Sequence, residues 1–227
     1  MKKDEVHKKA ILLIADGLGD RPVNELGGLT PLEYAYTPCL DYLCHNGISG
    51  LVHPYHPGAR VGTDWGHLCI FGYDPRNFYT GRGSIEAYSA GINLKEGDVA
   101  FRGNLSTVSD QFSVIDRRAG RIKDKEEIGG LLDAVDGTVI DDCKFFVKPL
   151  TEHRLALVMR GEQLCGPIPD TDPGTAREGE PVIDPSAICE PKAKRTARLL
   201  WNFLIYVNRV WKDHPVNIAR IKRGEPP

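Results

Sequence analysis

The first half of the chain alternates apolar runs with helix-start signals. Ala10–Ala15 is a continuous apolar run followed by the acidic, glycine-rich segment 16–20, a pattern typical of a strand buried on both faces of a parallel sheet. Thr30–Glu33 has the spacing of a capping box, and Thr37-Pro38 marks a second helix start. Ile48–Val52 is a second short apolar run. Strand, helix and strand within about 50 residues predict an α/β fold.

From about Val99 the pattern changes to short strands. The strands are predicted at Val99–Val108, Phe112–Asp116, Lys144–Val147 and Arg154–Met159, with a helix near Lys125–Val135. This order of elements, without regular strand–helix alternation, predicts an α+β segment.

The C-terminal part contains the strongest helical periodicity. Apolar residues recur at helical spacing from Lys192 to Lys212, and His214-Pro215 ends the pattern. Residues 190–225 contain nine Lys and Arg against three Asp and Glu. A solvated basic helix face explains this charge better than a nucleic-acid patch, because few aromatic residues are interleaved with it.

Composition limits the class of protein. The chain has 227 residues, 41% hydrophobic and 26% charged, which is typical of a globular protein. Its 29 Lys and Arg against 31 Asp and Glu argue against a dedicated nucleic-acid binder. The run Ala10–Ala15 is too short for a signal peptide and no segment approaches a membrane span, so we expect a cytoplasmic protein without a membrane partner. Six cysteines without a C-x-x-C pair predict free thiols rather than disulfides or metal ligands.

Three residues near the predicted loops are candidates for chemistry. Asp16 follows a predicted buried strand and is either a metal ligand or a turn former. Thr63 stands at a predicted helix start and is either a nucleophile, activated by a metal beside the free N–H groups, or a plain N-cap. His67 lies one helical turn further on, where it would either contact phosphate or form a structural hydrogen bond.

Arginines form the fourth candidate set. Guanidinium groups bind phosphate and carboxylate in two-point geometry, so a cluster of them would suit a phosphorylated acid, whereas any single one is an ordinary surface charge. The candidates are Arg82, Arg102, Arg117, Arg118, Arg121 and Arg154.

Together these motifs resemble a known family. They are similar to the short, archaeal-type cofactor-independent phosphoglycerate mutases of the alkaline phosphatase superfamily. The matching segments are 14–22, 28–33, 37–41, 62–68, 72–75, 79–83, 97–104, 115–118, 152–154 and 170–173.

The resemblance implies an α/β architecture with three parts. Residues 1–95 would form the N-terminal part of an incomplete alkaline-phosphatase-like sheet-and-helix domain. Residues 96–189 would form an inserted α+β substrate domain, and residues 190–227 a connecting helix that returns toward the phosphatase-like domain.

The resemblance also implies a mechanism. A divalent metal pair, Mn²⁺ or Zn²⁺, would activate a hydroxyl that takes the phosphoryl group from 3-phosphoglycerate and returns it to form 2-phosphoglycerate, without 2,3-bisphosphoglycerate. By resemblance Thr63 matches the nucleophile, and Asp16 and Thr63 match metal ligands. The small-molecule phosphoglycerate would be held by Asn104, Arg117, Arg118, His153 and Arg154.

The chain departs from the family pattern in one respect. Relatives continue past the long helix and supply further Asp and His metal ligands there; Asp213-His214 precedes Pro215 in what would be a connector, and we do not expect it to bind metal. We therefore expect an N-terminal part of such an enzyme. A related metal-dependent phosphatase or phosphotransferase, and a non-catalytic phosphoglycerate-binding fragment, are the alternatives, and a homo-oligomer is compatible with all three.

Overall fold

The computed structural model describes residues 9–59, 61–174 and 177–227. The chain divides into two compact units, Met1–Tyr79 and Thr80–Pro227. The described part of the first unit is helical. Its elements are a 3-10 turn at Asn24–Leu26 and the helices α1 (Pro31–Tyr34), α2 (Pro38–Asn46), α3 (Thr63–Ile70) and α4 (Pro75–Phe78).

Both predicted helix starts in the first unit are confirmed. The Thr30 hydroxyl accepts a hydrogen bond from the Glu33 N–H at 3.2 Å, and the Glu33 carboxylate accepts one from the Thr30 N–H at 2.8 Å. This reciprocal pair is the capping box that the sequence predicts at α1. Helix α2 begins with Pro38, as the sequence predicts, and its last residue is Asn46.

The two strands predicted in the first unit are wrong. Ala10–Ala15 and Ile48–Val52 have no regular secondary structure, and their side chains are exposed. A strand buried on both faces needs a neighbouring strand on each side, and the described residues of the first unit contain no strand. Each segment has the apolar pattern of a strand, but the described residues of the first unit provide no neighbouring strand for it.

The second unit is built around an antiparallel sheet. Four strands are paired in the order β1-β6-β5-β4, and β2 pairs with β3 in a separate two-stranded sheet. The strands are β1 (Val99–Asn104), β2 (Thr107–Val108), β3 (Val114–Asp116), β4 (Val139–Ile140), β5 (Cys143–Pro149) and β6 (Arg154–Arg160). Each predicted strand region therefore contains a strand, and the region Val99–Val108 contains two.

Helices lie before, between and after these strands. They are α5 (Arg82–Ser89), α6 (Lys125–Asp133), α7 (Pro185–Ile188), α8 (Lys194–Lys212) and α9 (Pro215–Lys222). Short 3-10 turns occur at Ala119–Arg121 and Pro191–Ala193. The predicted helices near Lys125–Val135 and Lys192–Lys212 are confirmed.

The four-stranded sheet is buried on both faces. Leu157 of β6 belongs to the larger core cluster, which contains Phe145 of β5 and residues of α6 and α8. Its neighbour Val158 points to the opposite face and packs with Ala87 of α5. This alternation along β6 follows from the two-residue period of a strand. Phe145 stacks on Phe203 of α8 with ring centroids 4.2 Å apart, so α8 is part of this core.

The exposed face and the end of α8 match the sequence pattern. Lys194, Arg198 and Arg209 are exposed, which agrees with a solvated basic face. His214 is the N-cap of α9, and its Nδ1 accepts a hydrogen bond from the Val216 N–H. In the part of the chain that the structure describes, all six cysteines are free, and no helix is long and apolar enough to cross a bilayer.

Candidate functional site

The first unit brings Asp16 and Thr63 together although 47 residues separate them. The Thr63 hydroxyl donates a hydrogen bond to Oδ2 of Asp16 at 3.4 Å. Asp16 lies in a turn, as expected of a residue before glycine, so the same residue is both a turn former and the acceptor for the Thr63 hydroxyl. Both side chains are exposed and accessible to a ligand.

Thr63 is not the N-cap of α3. Gly62 holds that position, makes no side-chain cap, and leaves Thr63 as the first helical residue. The first N–H groups of a helix have no intrahelical partner and attract anions. The start of α3 therefore places a hydroxyl beside backbone donors suited to a phosphate group.

Residues next to Thr63 in α3 make further side-chain contacts. The His67 Nδ1 lies 2.6 Å from the Thr63 carbonyl oxygen; because a carbonyl only accepts, Nδ1 carries the proton in this contact. The Tyr79 hydroxyl donates to the Asp64 carboxylate. The Trp65 ring lies edge-on to Tyr79 with centroids 5.4 Å apart. His67 thus forms a structural hydrogen bond, one of the two roles that the sequence left open.

Asp16 and Thr63 do not by themselves fit a metal pair. Asp16 offers one carboxylate and Thr63 one hydroxyl oxygen, whereas a two-metal site needs several ligands on each ion. Among residues 9–59, 61–174 and 177–227, no group of three or more His, Cys, Asp or Glu side chains is placed to hold a metal ion. A metal pair at this position would need ligands in addition to these two residues.

The second unit brings Asn104, His153 and Arg154 to one end of the main sheet. Asn104, the last residue of β1, is paired with Arg154, the first residue of β6. The Leu105 N–H donates to the His153 carbonyl at 2.7 Å, which extends this pairing by one step. Antiparallel register thus joins residues that are 50 positions apart in the sequence.

This end of the sheet has unsatisfied polar atoms. Oδ1 of Asn104 and Nδ1 of His153 are buried and have no hydrogen-bond partner among the described residues. Buried polar atoms are normally paired, and exceptions need an explanation such as a ligand or a water molecule. A polar ligand at this end of the sheet would explain them.

The electrostatics of His153 show that the surroundings are cationic. Burial lowers the pKa of its imidazole, and the positive charges of Arg154 and Arg118 lower it further, outweighing the opposite effect of Glu152. Arg102 contributes in the same direction. Arg118, His153 and Arg154 therefore share one cationic environment, which suits an anionic ligand.

Arg117 has a different partner. Its guanidinium binds both carboxylate oxygens of Asp172, with Nε 2.8 Å from each. The hydrogen bond to Asp172 is the main cause that raises the pKa of the Arg117 guanidinium. Burial alone would raise the pKa of Asp172, but hydrogen bonds from Arg117 and from the Gly174 N–H hold it below its ordinary value.

Asp172 and Glu86 hold candidate arginines in place, and neither residue was predicted from the sequence as part of a site. Asp172 lies in the segment 170–173, which was noted only as a motif. Oε1 of Glu86 lies 3.1 Å from Nη2 of Arg82 and 3.7 Å from Nε of Arg102, so Glu86 forms ion pairs with two of the candidate arginines. The four-residue spacing of Arg82 and Glu86, which lets them meet on one face of a helix, was the available signal.

By fold the chain is a mixed α/β protein whose second unit is built on a four-stranded antiparallel sheet. A solved cofactor-independent phosphoglycerate mutase from Thermoplasma acidophilum is similar to it, with a TM-score of 0.61 and 40% identity. The similarity covers 93% of this chain and 55% of that one.

Sequence comparisons give the family. Residues 44–217 match the profile of 2,3-bisphosphoglycerate-independent phosphoglycerate mutase. The chain is 46% identical over 220 residues to mutase 1 of this type from Methanocaldococcus jannaschii, covering 96% of this chain and 52% of the relative. The corresponding protein from Methanothermobacter thermautotrophicus is 40% identical, covering 96% and 54%. The chain belongs to the 2,3-bisphosphoglycerate-independent phosphoglycerate mutase family and spans about half the length of these curated relatives.

Proposed function

We propose that this chain contributes the nucleophile and the substrate-binding residues of a phosphoglycerate mutase that interconverts 3-phosphoglycerate and 2-phosphoglycerate without 2,3-bisphosphoglycerate. The observation that carries the proposal is the hydrogen bond from the Thr63 hydroxyl to Asp16, 3.4 Å long, at the start of α3. It orients a hydroxyl at a position where backbone N–H groups attract phosphate. Family membership supplies the substrate class.

In the proposed reaction, Thr63 Oγ1 attacks the phosphorus of the bound ester. A new O–P bond forms to Thr63, and the bond from phosphorus to the glycerate oxygen breaks. The proton of the Thr63 hydroxyl, which points at Asp16, is transferred to the departing glycerate oxygen. The other glycerate hydroxyl then attacks phospho-Thr63, gives up its proton, and regenerates the Thr63 hydroxyl. No net oxidation, reduction or hydrolysis occurs.

The glycerate has to stay bound while its phosphoryl group is on Thr63. A second set of contacts is therefore needed, since loss of the glycerate would end the cycle as hydrolysis. The proposed contacts are cationic side chains, together with the buried polar atoms at the end of the β1–β6 pair that have no hydrogen-bond partner among the described residues. At that end of the sheet they are Asn104, His153 and Arg154, with Arg118 close enough to affect His153. Arg117, whose guanidinium is bound by Asp172, is the fifth proposed contact.

We also propose how the chain is divided into domains. Residues 1–95 are assigned to an alkaline-phosphatase-like domain, 96–189 to the substrate domain and 190–227 to the connection. Helix α8 packs in the same core as β5, so the proposed connection begins inside the compact second unit. A Mn²⁺ or Zn²⁺ pair would be held in part by the Asp16 carboxylate and the Thr63 hydroxyl, would need further ligands from other residues, and would supply positive charge that activates the hydroxyl. The proposed location is cytoplasmic.

A coupled assay tests the proposal. The chain is incubated with 3-phosphoglycerate and Mn²⁺, and formation of 2-phosphoglycerate is measured for the wild type, Thr63→Ala and Thr63→Ser. Conversion that is lost in Thr63→Ala and kept at a reduced level in Thr63→Ser supports the proposal, because serine retains the hydroxyl. Conversion that persists in Thr63→Ala contradicts the nucleophile assignment.

The same samples distinguish the alternatives. Release of inorganic phosphate without 2-phosphoglycerate would favour a phosphatase. Calorimetric binding of 3-phosphoglycerate without turnover would favour a non-catalytic binding fragment. Absence of binding would contradict the substrate assignment of the cationic residues as well.

A further inference from the structure

Arg220 of α9 is a buried cation to which the proposed reaction assigns no part. It is 5% exposed, and its guanidinium donates hydrogen bonds in three directions. Nη1 donates to Oε2 of Glu127 in α6 at 2.8 Å, and Nη2 donates to the Ala119 carbonyl at 3.0 Å. Nε donates to the Pro226 carbonyl at 2.9 Å. Because a buried charge is costly unless it is paired and hydrogen-bonded, these contacts hold the guanidinium and its partners in one arrangement.

The Ala119 carbonyl belongs to a left-handed turn. The φ angles of residues 119–121 are +45°, +65° and +56°. Glycine, the middle residue, adopts this conformation readily, but its two neighbours carry a β-carbon and adopt it only where their surroundings hold them. The Asp116 carboxylate accepts from the Arg118 N–H and the Gly120 N–H, each at 2.8 Å. The bond from Arg220 is added at the carbonyl, so the turn is held by a carboxylate and by a guanidinium.

Arg118 directly precedes this turn and lies beside the proposed substrate site. Burial is the main cause that lowers the pKa of His153, and positive charges around the imidazole, among them that of Arg118, lower it further. The segment that follows the turn is also close to this place, because Nζ of Lys123 lies 3.6 Å from Oε1 of Glu152, the residue before His153. A change in the backbone at residues 119–121 would therefore move Arg118 relative to the end of the β1–β6 pair.

We propose that Arg220 is a positioning residue for the substrate site: its bond to the Ala119 carbonyl holds the left-handed turn and thereby keeps Arg118 beside the end of the β1–β6 pair. Arg220 acts through the turn and does not contact the ligand. Arginine suits this role because its planar fork presents separate N–H groups to Glu127 and to the carbonyl, whereas lysine has a single nitrogen. The proposal rests on the proposed function for the identity of the ligand, phosphoglycerate.

A double-mutant cycle read on His153 tests this role. The imidazole pKa is measured by NMR in the unliganded full chain for the wild type, Arg118→Gln, Arg220→Gln and the double variant. Arg118→Gln should raise the pKa because it removes a positive charge, and Arg220→Gln should raise it because the turn no longer holds Arg118 in place. In the Arg118→Gln background, Arg220→Gln should have no further effect. The charged groups that act on this imidazole are Arg154, Arg118, Glu152 and Arg102.

Two results of the cycle would overturn the proposal. One is a His153 pKa that Arg220→Gln leaves unchanged. The other is an equal rise in both backgrounds, since a direct charge effect of Arg220, or a general loosening of the second unit, does not depend on Arg118.

Binding of 3-phosphoglycerate, measured by calorimetry, is the second readout. Arg220→Gln should raise the Kd at least about tenfold, the loss expected when one charged contact to the ligand is displaced. Arg223→Gln is the matched control, because the exposed Arg223 side chain forms ion pairs with Glu127 and Glu225 at the end of the same helix. Its Kd should stay within about twofold of the wild type. An equal loss in the control would contradict a specific role for Arg220.

Arg220→Lys keeps the test decisive where Arg220→Gln does not fold. The lysine retains the buried charge beside Glu127 but lacks the fork that reaches the Ala119 carbonyl at the same time. The folded Arg220→Lys chain should show a raised His153 pKa and a raised Kd. Wild-type values of both quantities would overturn the proposal.

The proposed function is read separately. A wild-type chain that does not bind 3-phosphoglycerate would count against the proposed function, whereas the His153 cycle would still decide the role of Arg220. Wild-type binding together with a cycle that shows no dependence on Arg118 would count against the role of Arg220 only.

Discussion

Arg117 and Asp172 are joined by a two-point ion pair across 55 positions of the sequence. Nε of Arg117 lies 2.8 Å from each carboxylate oxygen, and Nη2 adds a further bond to Oδ2. Asp172 also accepts from the Gly174 N–H at 2.8 Å. The pair therefore fixes the segment around residue 172 to the residue that follows β3.

Removing the charge of Asp172 should destabilise the second unit. We expect Asp172→Asn to lower the free energy of unfolding by about 1–3 kcal/mol, since an amide cannot reproduce a charged two-point contact with a guanidinium. Urea unfolding followed by circular dichroism measures the change. Asp170→Asn is the control, because Asp170 is exposed, and it should stay within about 0.5 kcal/mol of the wild type. Equal effects of the two changes would contradict a specific role for the ion pair.

The same pair should make stability depend on acid pH. The pKa of Asp172 is lower in the folded chain than its ordinary value, so the folded state binds fewer protons than the unfolded state as pH falls. The contribution of Asp172 is complete above the unfolded pKa of about 4 and is lost as pH falls through the folded pKa. Between about pH 5 and about pH 3, the wild type should lose more unfolding free energy than Asp172→Asn. Parallel pH profiles for the two proteins would contradict this expectation.

Replacing each of two helical glycines by alanine should change the free energy of unfolding in opposite directions. In an exposed helix interior, glycine to alanine stabilises by about 0.5–1 kcal/mol. Gly129 of α6 has open space around the added methyl group, so Gly129→Ala should follow this rule. A β-carbon on Gly83 of α5 would overlap the Ala100 carbonyl and lie 2.8 Å from Cα of Phe101.

Gly83→Ala should therefore destabilise the second unit, because the backbone of α5 or β1 has to move to admit the methyl group. Thermal unfolding measures the effects: compared with the wild type, the unfolding temperature should fall for Gly83→Ala and rise for Gly129→Ala. A stabilising Gly83→Ala would show that α5 does not lie against β1 as closely as the structure has it.

Local signals account for most of the elements that the sequence predicted correctly. The capping box at Thr30 and the helical periodicity of α8 depend on residues within one or a few turns, so the sequence alone is sufficient. The segment Ala10–Ala15 shows the limit. Its apolar pattern is that of a buried strand, but a strand exists only with neighbours, and the described first unit provides none.

In the candidate site, too, single residues could be predicted from local sequence, whereas contacts between distant residues could not. Asp16 and Thr63 were identified separately, and the structure adds the hydrogen bond between them. Asp172 could not have been assigned to Arg117, because nothing in the sequence specifies a contact across 55 residues. Side-chain pairing at long range depends on the packing of the whole unit, which no local pattern encodes.

Phe203 should be essential to the stability of the second unit. Its ring is buried and stacks on Phe145 with centroids 4.2 Å apart and planes at 3°. Phe203→Ala should lower the free energy of unfolding by about 3–5 kcal/mol, through lost burial and the cavity that remains. Arg209→Ala, on the exposed side of the same helix, is the control and should change it by less than about 0.5 kcal/mol. Chemical unfolding at one temperature compares the two, and a small effect of Phe203→Ala would contradict the placement of α8 in the core.

His153 should report on anion binding at the end of the β1–β6 pair. In the unliganded chain its imidazole pKa is lowered by burial and by Arg154 and Arg118, so it should titrate below the ordinary value of about 6.5. A bound phosphoglycerate anion would favour the imidazolium and offset the arginine charges, so the pKa should rise. Two-dimensional NMR of the imidazole signals across pH, with and without 3-phosphoglycerate, measures both values.

Arg154→Gln separates the electrostatic cause from simple burial. Removing that positive charge should raise the His153 pKa in the unliganded chain, while the effect of burial remains. Because the lowered pKa keeps His153 neutral in the folded state, wild-type stability should fall as pH decreases through about 6.5, where the unfolded chain takes up its proton. A His153 pKa that responds neither to Arg154→Gln nor to 3-phosphoglycerate would contradict a cationic ligand site at these residues.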